Sequence, residues 1–121
     1  MLGWGIIIYK ENEPETSRAS ASIATWDVGM GGDHWIRENC EMIAENSGYP
    51  IQYKTNGQFI KKMLRNGPVK YTTGTTIIHE EEGFAEEAGT TGWIGDPRID
   101  LKSLNELDDE EIIIIDTWDL S

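Results

Sequence analysis

Cysteine is nearly absent from this chain: Cys40 is the one cysteine among 121 residues. A single cysteine forms no disulfide within the chain, and Cys40 lies on the apolar side of a predicted helix, where a small thiol is often buried. Long hydrophobic runs are missing as well. The apolar stretch from Leu2 to Tyr9 follows no basic segment and is too short for a signal peptide or a membrane span. We therefore expect a reducing, cytoplasmic location.

Positive charge is scarce in one part of the chain. The sequence has 10 Lys and Arg against 22 Asp and Glu, a net charge of -12. Residues 1–79 are balanced at eight each, whereas residues 80–121 hold two basic side chains, Arg98 and Lys102, against fourteen acidic ones. A field of this sign steers a protein away from nucleic acid and anionic membranes and towards basic partners. Solubility is the simpler explanation of the same acidity.

The rest of the composition is that of a folded domain. Hydrophobic residues make up 38% of the chain, with five Trp, four Tyr and two Phe, which is too apolar for a disordered segment. A chain of 121 residues is long enough to build one core. We expect a single α+β domain over residues 1–121, with a mixed or antiparallel sheet of about five strands, two main helices and one short helix.

Three segments predict strands, and two of them predict the centre of the sheet. Leu2 to Tyr9 and Ile112 to Ile115 are apolar on both faces, as in strands that are covered on both sides. Ser22 to Val28 alternates small or polar residues with apolar ones, the pattern of a strand with one buried face. The polar segment from Glu11 to Ser20 predicts a surface loop.

A glycine loop, Gly29–Gly32, and a helix are predicted after the third of these strands. Asp33 is a good N-cap, and the helical spacing of apolar residues continues until Gly48 and Pro50 end it. The apolar side of this helix would hold Trp35, Ile36, Cys40, Met42 and Ile43. Such loops bind phosphate in other proteins, but this one matches neither the dinucleotide fingerprint nor the P-loop.

The middle of the chain predicts a short strand, a second helix and a hairpin. Ile51 to Lys54 reads as extended, and Thr55 with Gln58 has the spacing of a capping box. The helix that follows would end at Asn66-Gly67-Pro68 and carry an apolar stripe of Phe59, Ile60, Met63 and Leu64. Residues 69–73 and 75–82 predict a hairpin hinged at Gly74.

Residues 83–101 have no clear period and predict a long loop, with at most a helical turn or two from Phe84 to Ala88. Trp93 in this loop either docks on the core or presents a contact surface, and docking is the simpler interpretation. Ser103 and Glu106 then have the spacing of a capping box for a short helix.

No set of residues predicts catalysis or metal binding strongly. His79 lacks the second histidine of a zinc helix, and His34 is alone. Asp27 and Asp119 occupy similar segments, which adjacent strands would bring together as a carboxylate pair, although coincidence explains the similarity as well. We expect no catalytic residue, no bound metal and no cofactor.

Short segments in the first half of the chain resemble known sequences. Gly3-Trp4-Gly5-Ile6, Gly31-Gly32-Asp33-His34-Trp35 and Gly48-Tyr49-Pro50 are similar to segments of short uncharacterised bacterial and phage proteins. The resemblance implies no activity, and the acidic last third lies outside it.

The first hypothesis for function is an interaction protein that binds a basic protein surface through its acidic last third. The partner would be a nucleic-acid-binding host or defence protein, inhibited by mimicry of nucleic acid as anti-CRISPR-like phage inhibitors do. We expect no direct binding to nucleic acid or membrane, and the oligomeric state stays open. The partner-binding residues would be Glu80, Glu81, Glu82, Glu86, Glu87, Trp93, Asp108, Asp109, Glu110 and Glu111.

Two alternatives belong to other functional classes. A small-ligand or nucleotide-binding module would use Gly29, Gly31, Gly32, Lys61, Lys62 and Arg65. A metal-dependent hydrolase would use Asp27, Asp119 and His79. The missing catalytic motifs favour a binding protein over an enzyme.

Overall fold

Eight strands and three helices make up the part of the chain that the structure describes. A computed structural model describes residues 3–11, 23–44, 50–79 and 84–120. In chain order the elements are β1 (Trp4–Lys10), β2 (Ala24–Val28), α1 (His34–Asn39), β3 (Glu41–Ala44), β4 (Ile51–Asn56), α2 (Gly57–Met63), β5 (Thr72–His79), β6 (Phe84–Thr91), β7 (Ile94–Ile99), α3 (Leu101–Asn105) and β8 (Ile112–Asp119).

The two isoleucine-rich strands lie side by side at the centre of the main sheet, as predicted. Its six strands are all antiparallel to their neighbours and are ordered β3-β4-β8-β1-β2-β7. β1 and β8 pair from Trp4 opposite Asp119 to Lys10 opposite Ile113. The α+β class and the single domain are confirmed, and the main sheet has six strands rather than about five. No helix in the described ranges is long and apolar enough to span a membrane.

The three helices contribute to one core with one face of this sheet. Ile6, Trp26 and Ile115 are fully buried there, beneath Ile60 of α2 and Ile36 of α1. The core also contains a row of stacked rings, since ring centroids are 6.1 Å apart for Trp26 and Trp35 and 6.0 Å apart for Trp35 and Phe59. The predicted stripe of α2 is confirmed, because Ile60 and Leu64 are fully buried and Phe59 and Met63 pack against the core.

The first helix is much shorter than predicted. Asp33 is its N-cap, but the carboxylate makes no capping hydrogen bond, and the helix ends at Asn39 with Cys40 as C-cap. The next four residues form β3, which pairs with β4, so Met42 and Ile43 lie exposed on an edge strand rather than in the core. Helical spacing was misleading here because backbone pairing with β4 outweighs the local pattern. The predicted stop at Gly48 lies outside the described residues, as does the loop predicted to follow Glu11.

The predicted caps of α2 and α3 are each assigned to the wrong residue. The cap of α2 is Asn56, whose Oδ1 accepts from the Phe59 N–H at 2.9 Å; Thr55 belongs to β4. The cap of α3 is Asp100, which accepts from the N–H and the hydroxyl of Ser103. Both capping boxes failed because an amide (Asn56) or a carboxylate (Asp100) stands at the residue where the helix begins and accepts from the N–H three positions on.

The predicted hairpin hinge and the predicted long loop are both wrong. β5 runs through Gly74 without turning and pairs with β6, with Gly74 opposite Gly89 and His79 opposite Phe84. Residues 83–101 therefore supply β6 and β7 instead of a loop or helical turn. Pro97 is compatible with β7 because that strand lies at the edge of the sheet, where one side needs no donor.

Candidate functional site

The acidic run from Asp108 to Glu111 forms one fixed turn between α3 and β8, here called the acidic turn. Its backbone carbonyls accept hydrogen bonds from the first N–H groups of α2: Gly57 donates to Glu111 at 2.9 Å and Gln58 to Asp109 at 3.0 Å. The Asp108 carbonyl also packs so closely on Gly57 that a Cβ there would clash with it. The acidic turn is thus held in place by the helix beneath it.

The carboxylates of the acidic turn differ in their partners. Lys61 Nζ lies 2.6 Å from Asp109 Oδ1 and donates to the Leu107 carbonyl at 2.8 Å. Lys10 Nζ lies 3.7 Å from Glu111 Oε1. Asp108, Asp109 and Glu110 are all exposed to solvent. Three adjacent carboxylates consequently face water on one turn, around a shallow concavity of about 760 Å³ that Lys61 also lines.

The basic side chains predicted on α2 lie next to the acidic turn rather than at the other end of the molecule. Lys61, Lys62 and Arg65 line a groove of about 640 Å³ between α2 and α3, with Leu104 in its wall and Asp109 at its margin. The sequence divides into a neutral part and an acidic part, but the fold brings the two together. No residue of Gly29–Gly32 lines this groove, so the two halves of the predicted ligand site do not share it.

Two of the other predicted acidic residues lie in the β5–β6 hairpin. Glu86 and Glu87 lie in β6, opposite Ile77 and Thr76 of β5. Glu80, Glu81 and Glu82 lie outside the described residues. The hairpin's twenty positions, 72–91, carry five acidic residues and no basic one.

Trp93 is half docked and half exposed. It follows β6, and 41% of the residue is accessible to solvent. Its indole lies over the glycine loop, since a Cβ at Gly29 would be 2.6 Å from Nε1, and over β7, where a Cβ at Gly95 would be 3.1 Å from Cζ3. The sequence left two alternatives for Trp93, docking on the rest of the protein or exposure as a contact surface. In the structure one part of the side chain is docked and another part is exposed.

The glycine loop is occupied by the protein itself. The Gly29 N–H donates to the Tyr71 hydroxyl at 2.6 Å, and that hydroxyl donates to the Trp93 carbonyl at 2.8 Å. The Gly32 N–H donates to the Gly29 carbonyl, and the Tyr71 ring closely approaches both Gly32 and Gly92. The N–H groups of Gly29 and Gly32, which a bound phosphate would need, therefore already donate to protein acceptors. Because these glycines have no Cβ, the rings of Tyr71 and Trp93 can pack against the loop.

The residues of the predicted hydrolase are not brought together. Asp27 pairs with Gly5 across β1–β2, whereas Asp119 pairs with Trp4 across β1–β8. A whole strand therefore separates the two, and their adjacent registers put them on opposite faces of the sheet. His79 lies in the other sheet. Among the described residues there is no group of three or more His, Cys, Asp or Glu arranged to hold a metal.

A polar network on the face of the sheet away from the helices was not predicted. Asp116 Oδ1 accepts from the Tyr9 hydroxyl at 2.9 Å and from Gln52 Nε2 at 3.0 Å. Gln52 also donates to the Tyr9 hydroxyl at 3.2 Å. Burial raises the pKa of the Asp116 carboxyl and, together with Asp116, raises the pKa of Tyr9 to about 12. These residues come from three strands, so sequence spacing carried no signal of the network.

A pocket between α1 and the β3–β4 edge also escaped prediction. It has a volume of about 450 Å³ and is lined by His34, Arg37, Glu38, Cys40, Met42 and Tyr53. Prediction missed it because β3 was assigned to a helix. The free thiol of Cys40 is a poor nucleophile here, since burial raises its pKa to about 11.

Comparisons with protein-family models, with curated proteins and with solved structures found no match for this chain.

Proposed function

We propose that this protein is an interaction protein that binds a basic surface of another protein, with the acidic turn as the centre of contact. The observation that carries the proposal is the fixed backbone of that turn: helix α2 holds it while Asp108, Asp109 and Glu110 stay exposed. A partner with a groove for nucleic acid has the complementary charge. Such a partner would be inhibited when the acidic turn occupies the groove.

Repulsion among the carboxylates supports a binding role over simple solubility. Lys61 offsets the charge of Asp109, but Asp108 and Glu110 are exposed acids on the same turn, and like charges held together lower the stability of the folded state. Solubility needs negative charge but does not need it concentrated on one anchored turn. A surface that is already ordered loses less conformational entropy when it binds. Acidic residues that are concentrated on one anchored turn are therefore typical of a binding surface.

Trp93 and the base of the acidic hairpin lie at the Trp4 end of β1, whereas the acidic turn lies at its Lys10 end, so they would form a second contact region for a large partner. Residues 72–91 supply five of the acidic side chains behind the net charge of -12, and this charge increases the long-range attraction to a basic partner. Trp93 offers a large apolar group that is already partly immobilised by Gly29 and Gly95. Tryptophan is enriched among residues that dominate binding energy. The proposed division of roles is therefore steering by the hairpin and anchoring by the acidic turn and Trp93.

A matched pair of variants tests the proposal. The turn variant carries Asp108→Asn, Asp109→Asn and Glu110→Gln; the control carries Glu11→Gln, Glu41→Gln and Asp96→Asn, three exposed acids elsewhere. Both variants lose the same charge, so a difference between them reports position. We expect the wild type and the control to capture the same proteins from cell lysate, and the turn variant to lose them.

The captured proteins are then measured by titration at low and at moderate salt. We expect wild-type binding to weaken as salt rises, because exposed charges are screened over about 10 Å at 0.1 M salt, and added DNA to compete for the partner. Equal losses by the two variants would assign the effect to net charge alone. Unchanged binding by both would remove the acidic turn from the interface.

A further inference from the structure

The acidic turn adjoins the groove between α2 and α3, here called the basic groove. The concavity at the acidic turn and the basic groove share two lining residues, Lys61 and Asp109. These two residues form an ion pair. The pair therefore lies at the boundary between a negative surface and a positive one.

Charges on both sides of this boundary are left without counter-ions. Asp108 and Glu110 are exposed on the acidic side, and Lys62 and Arg65 are exposed on the basic side. In the described ranges none of these four side chains forms an ion pair, although each lies on a surface next to the opposite charge. Both surfaces can therefore still accept a partner of opposite charge.

A surface with this arrangement is complementary to a second copy of itself. In a dimer with a two-fold axis the same patch lies on both sides of the interface, so that each contact occurs twice. With the axis beside the boundary ion pair, the negative half of one copy faces the positive half of the other. We propose that the protein forms a symmetric dimer in which the acidic turn of each copy occupies the basic groove of the other. The residues paired across the interface are Asp108, Glu110, Lys62 and Arg65.

The basic groove also offers an apolar contact and hydrogen-bonding groups. Leu101 in its wall is 63% exposed, more than any other large hydrophobic residue in the described ranges. The amides of Gln58 and Asn105 line the same groove and are able to bond to the backbone of an incoming turn. Helix α2 already holds the acidic turn in place, so the turn loses little conformational entropy when it binds.

The net charge of the chain limits the strength of the dimer. Each copy has a net charge of -12, so two copies repel each other at a distance. Salt screens this repulsion over about 10 Å at 0.1 M, while the opposite charges at the interface are in direct contact. We expect a weak dimer that forms at roughly 100 μM protein and dissociates at roughly 1 μM.

Charge reversal on one side at a time tests the dimer on the purified chain. The reversed-groove variant carries Lys62→Glu and Arg65→Glu, and the reversed-turn variant carries Asp108→Lys and Glu110→Lys. In sedimentation experiments at roughly 100 μM protein and 0.1 M salt, we expect the wild type to dimerise. Each variant alone should dimerise at least about tenfold more weakly, because its own turn and groove then have the same sign.

An equimolar mixture of the two variants should recover the dimer. One contact in the mixed dimer is the native one, and the other has both signs reversed, so opposite charges meet at both. The two changes in net charge cancel, and the mixed dimer has the total charge of the wild-type dimer. Recovery also shows that both variants are folded.

The control for this mixture carries Arg37→Glu and Arg98→Glu, which change the net charge equally but lie outside the basic groove. Mixed with the reversed-turn variant it should form no mixed dimer, since a basic turn then faces a basic groove. A monomeric wild type, wild-type dimerisation of the reversed-groove variant, or equal behaviour of the two mixtures would overturn the proposal.

The dimer does not rest on the proposed function, although both use the acidic turn. The reversed-groove variant keeps the acidic turn intact, so it should still capture the proteins that the wild type captures from lysate. Loss of the dimer with capture retained would separate the two properties. A dimer that forms as expected beside an acidic turn that captures nothing would leave this proposal standing and remove the proposed function.

Discussion

Tyr9 and Tyr53 lie on opposite faces of the same sheet, one in a polar network and the other in the aromatic core. Tyr9 donates to Asp116 and accepts from Gln52, so every member of that group has a partner. Tyr53 belongs to the aromatic core on the other face, where the buried indole N–H groups of Trp26 and Trp35 have no hydrogen-bond partner among the described residues. One face thus contains a polar network whose members are hydrogen-bonded to one another. The other contains aromatic rings, two of whose N–H groups have no hydrogen-bond partner in the described part of the chain.

This difference in hydrogen bonding determines how each face should respond to substitution. A satisfied buried network holds three strands in register and requires nothing from outside the protein. A buried donor without an acceptor lowers the stability of the fold, unless a bound molecule supplies the acceptor. The comparison predicts that removing the Tyr9 hydroxyl from the network costs more stability than removing the Tyr53 hydroxyl.

The largest effect is expected at the aromatic core. Trp26→Ala should lower the free energy of unfolding by about 3–5 kcal/mol, since Trp26 is fully buried and stacked on Trp35. Trp93→Ala should cost about 1 kcal/mol, because a large part of that side chain is already in water. Urea unfolding of both variants checks the ratio. Similar losses in the two would mean that Trp93 belongs to the core after all.

An intermediate effect should separate the two tyrosines. Tyr9→Phe leaves the buried Asp116 and Gln52 with one partner fewer and should destabilise the fold by about 1–2 kcal/mol. Tyr53→Phe should change stability by less than about 0.5 kcal/mol, because the ring stays packed in the core and the residue lines a pocket open to solvent. Thermal and urea unfolding near pH 7, where both hydroxyls are protonated, measures the contrast. A loss of similar size in both variants would erase the distinction between the two faces.

How far the sequence predicted the molecule depends on the range over which each signal acts. The sequence predicted β1, β2, β8 and the apolar stripe of α2. In these elements the spacing of apolar residues along the chain is enough to tell which side chains are buried. The end of α1 was missed because the neighbouring residues pair with β4, a contact that no local pattern encodes. The Tyr9–Asp116 bond joins residues 107 positions apart, and the Tyr53 pocket depends on where β3 lies. The acidic turn was found from charge alone, while its anchoring on α2 required the register of β4 with β8.

The smallest and most specific effect concerns the charge of Asp116, because burial and hydrogen bonding oppose each other there. Burial raises the pKa of this carboxyl, and the bonds from Gln52 and Tyr9 lower it without cancelling the rise. The folded protein therefore holds the Asp116 proton more tightly than the unfolded chain does. The stability that comes from this proton is fully present below the unfolded pKa, about 3.9, and is lost as pH rises through the folded pKa. At neutral pH the charged carboxylate is thus a net cost to the fold.

Asp116→Asn tests this balance, since the amide keeps Oδ1 as the acceptor for Tyr9 and Gln52 and removes the buried charge. We expect the variant to be more stable than the wild type at pH 7, by at most about 1 kcal/mol, the scale of a single net hydrogen bond. Its advantage should shrink as pH falls towards 4, because the wild-type carboxyl then becomes neutral as well. Asp116→Ala, which removes the acceptor altogether, should be less stable than the wild type at both pH values. Urea unfolding of the three proteins across this range measures the differences. If Asp116→Asn were instead less stable at pH 7 by an amount that did not change with pH, hydrogen bonding would outweigh burial, and the face that contains Tyr9 would be stabilised by its charge rather than in spite of it.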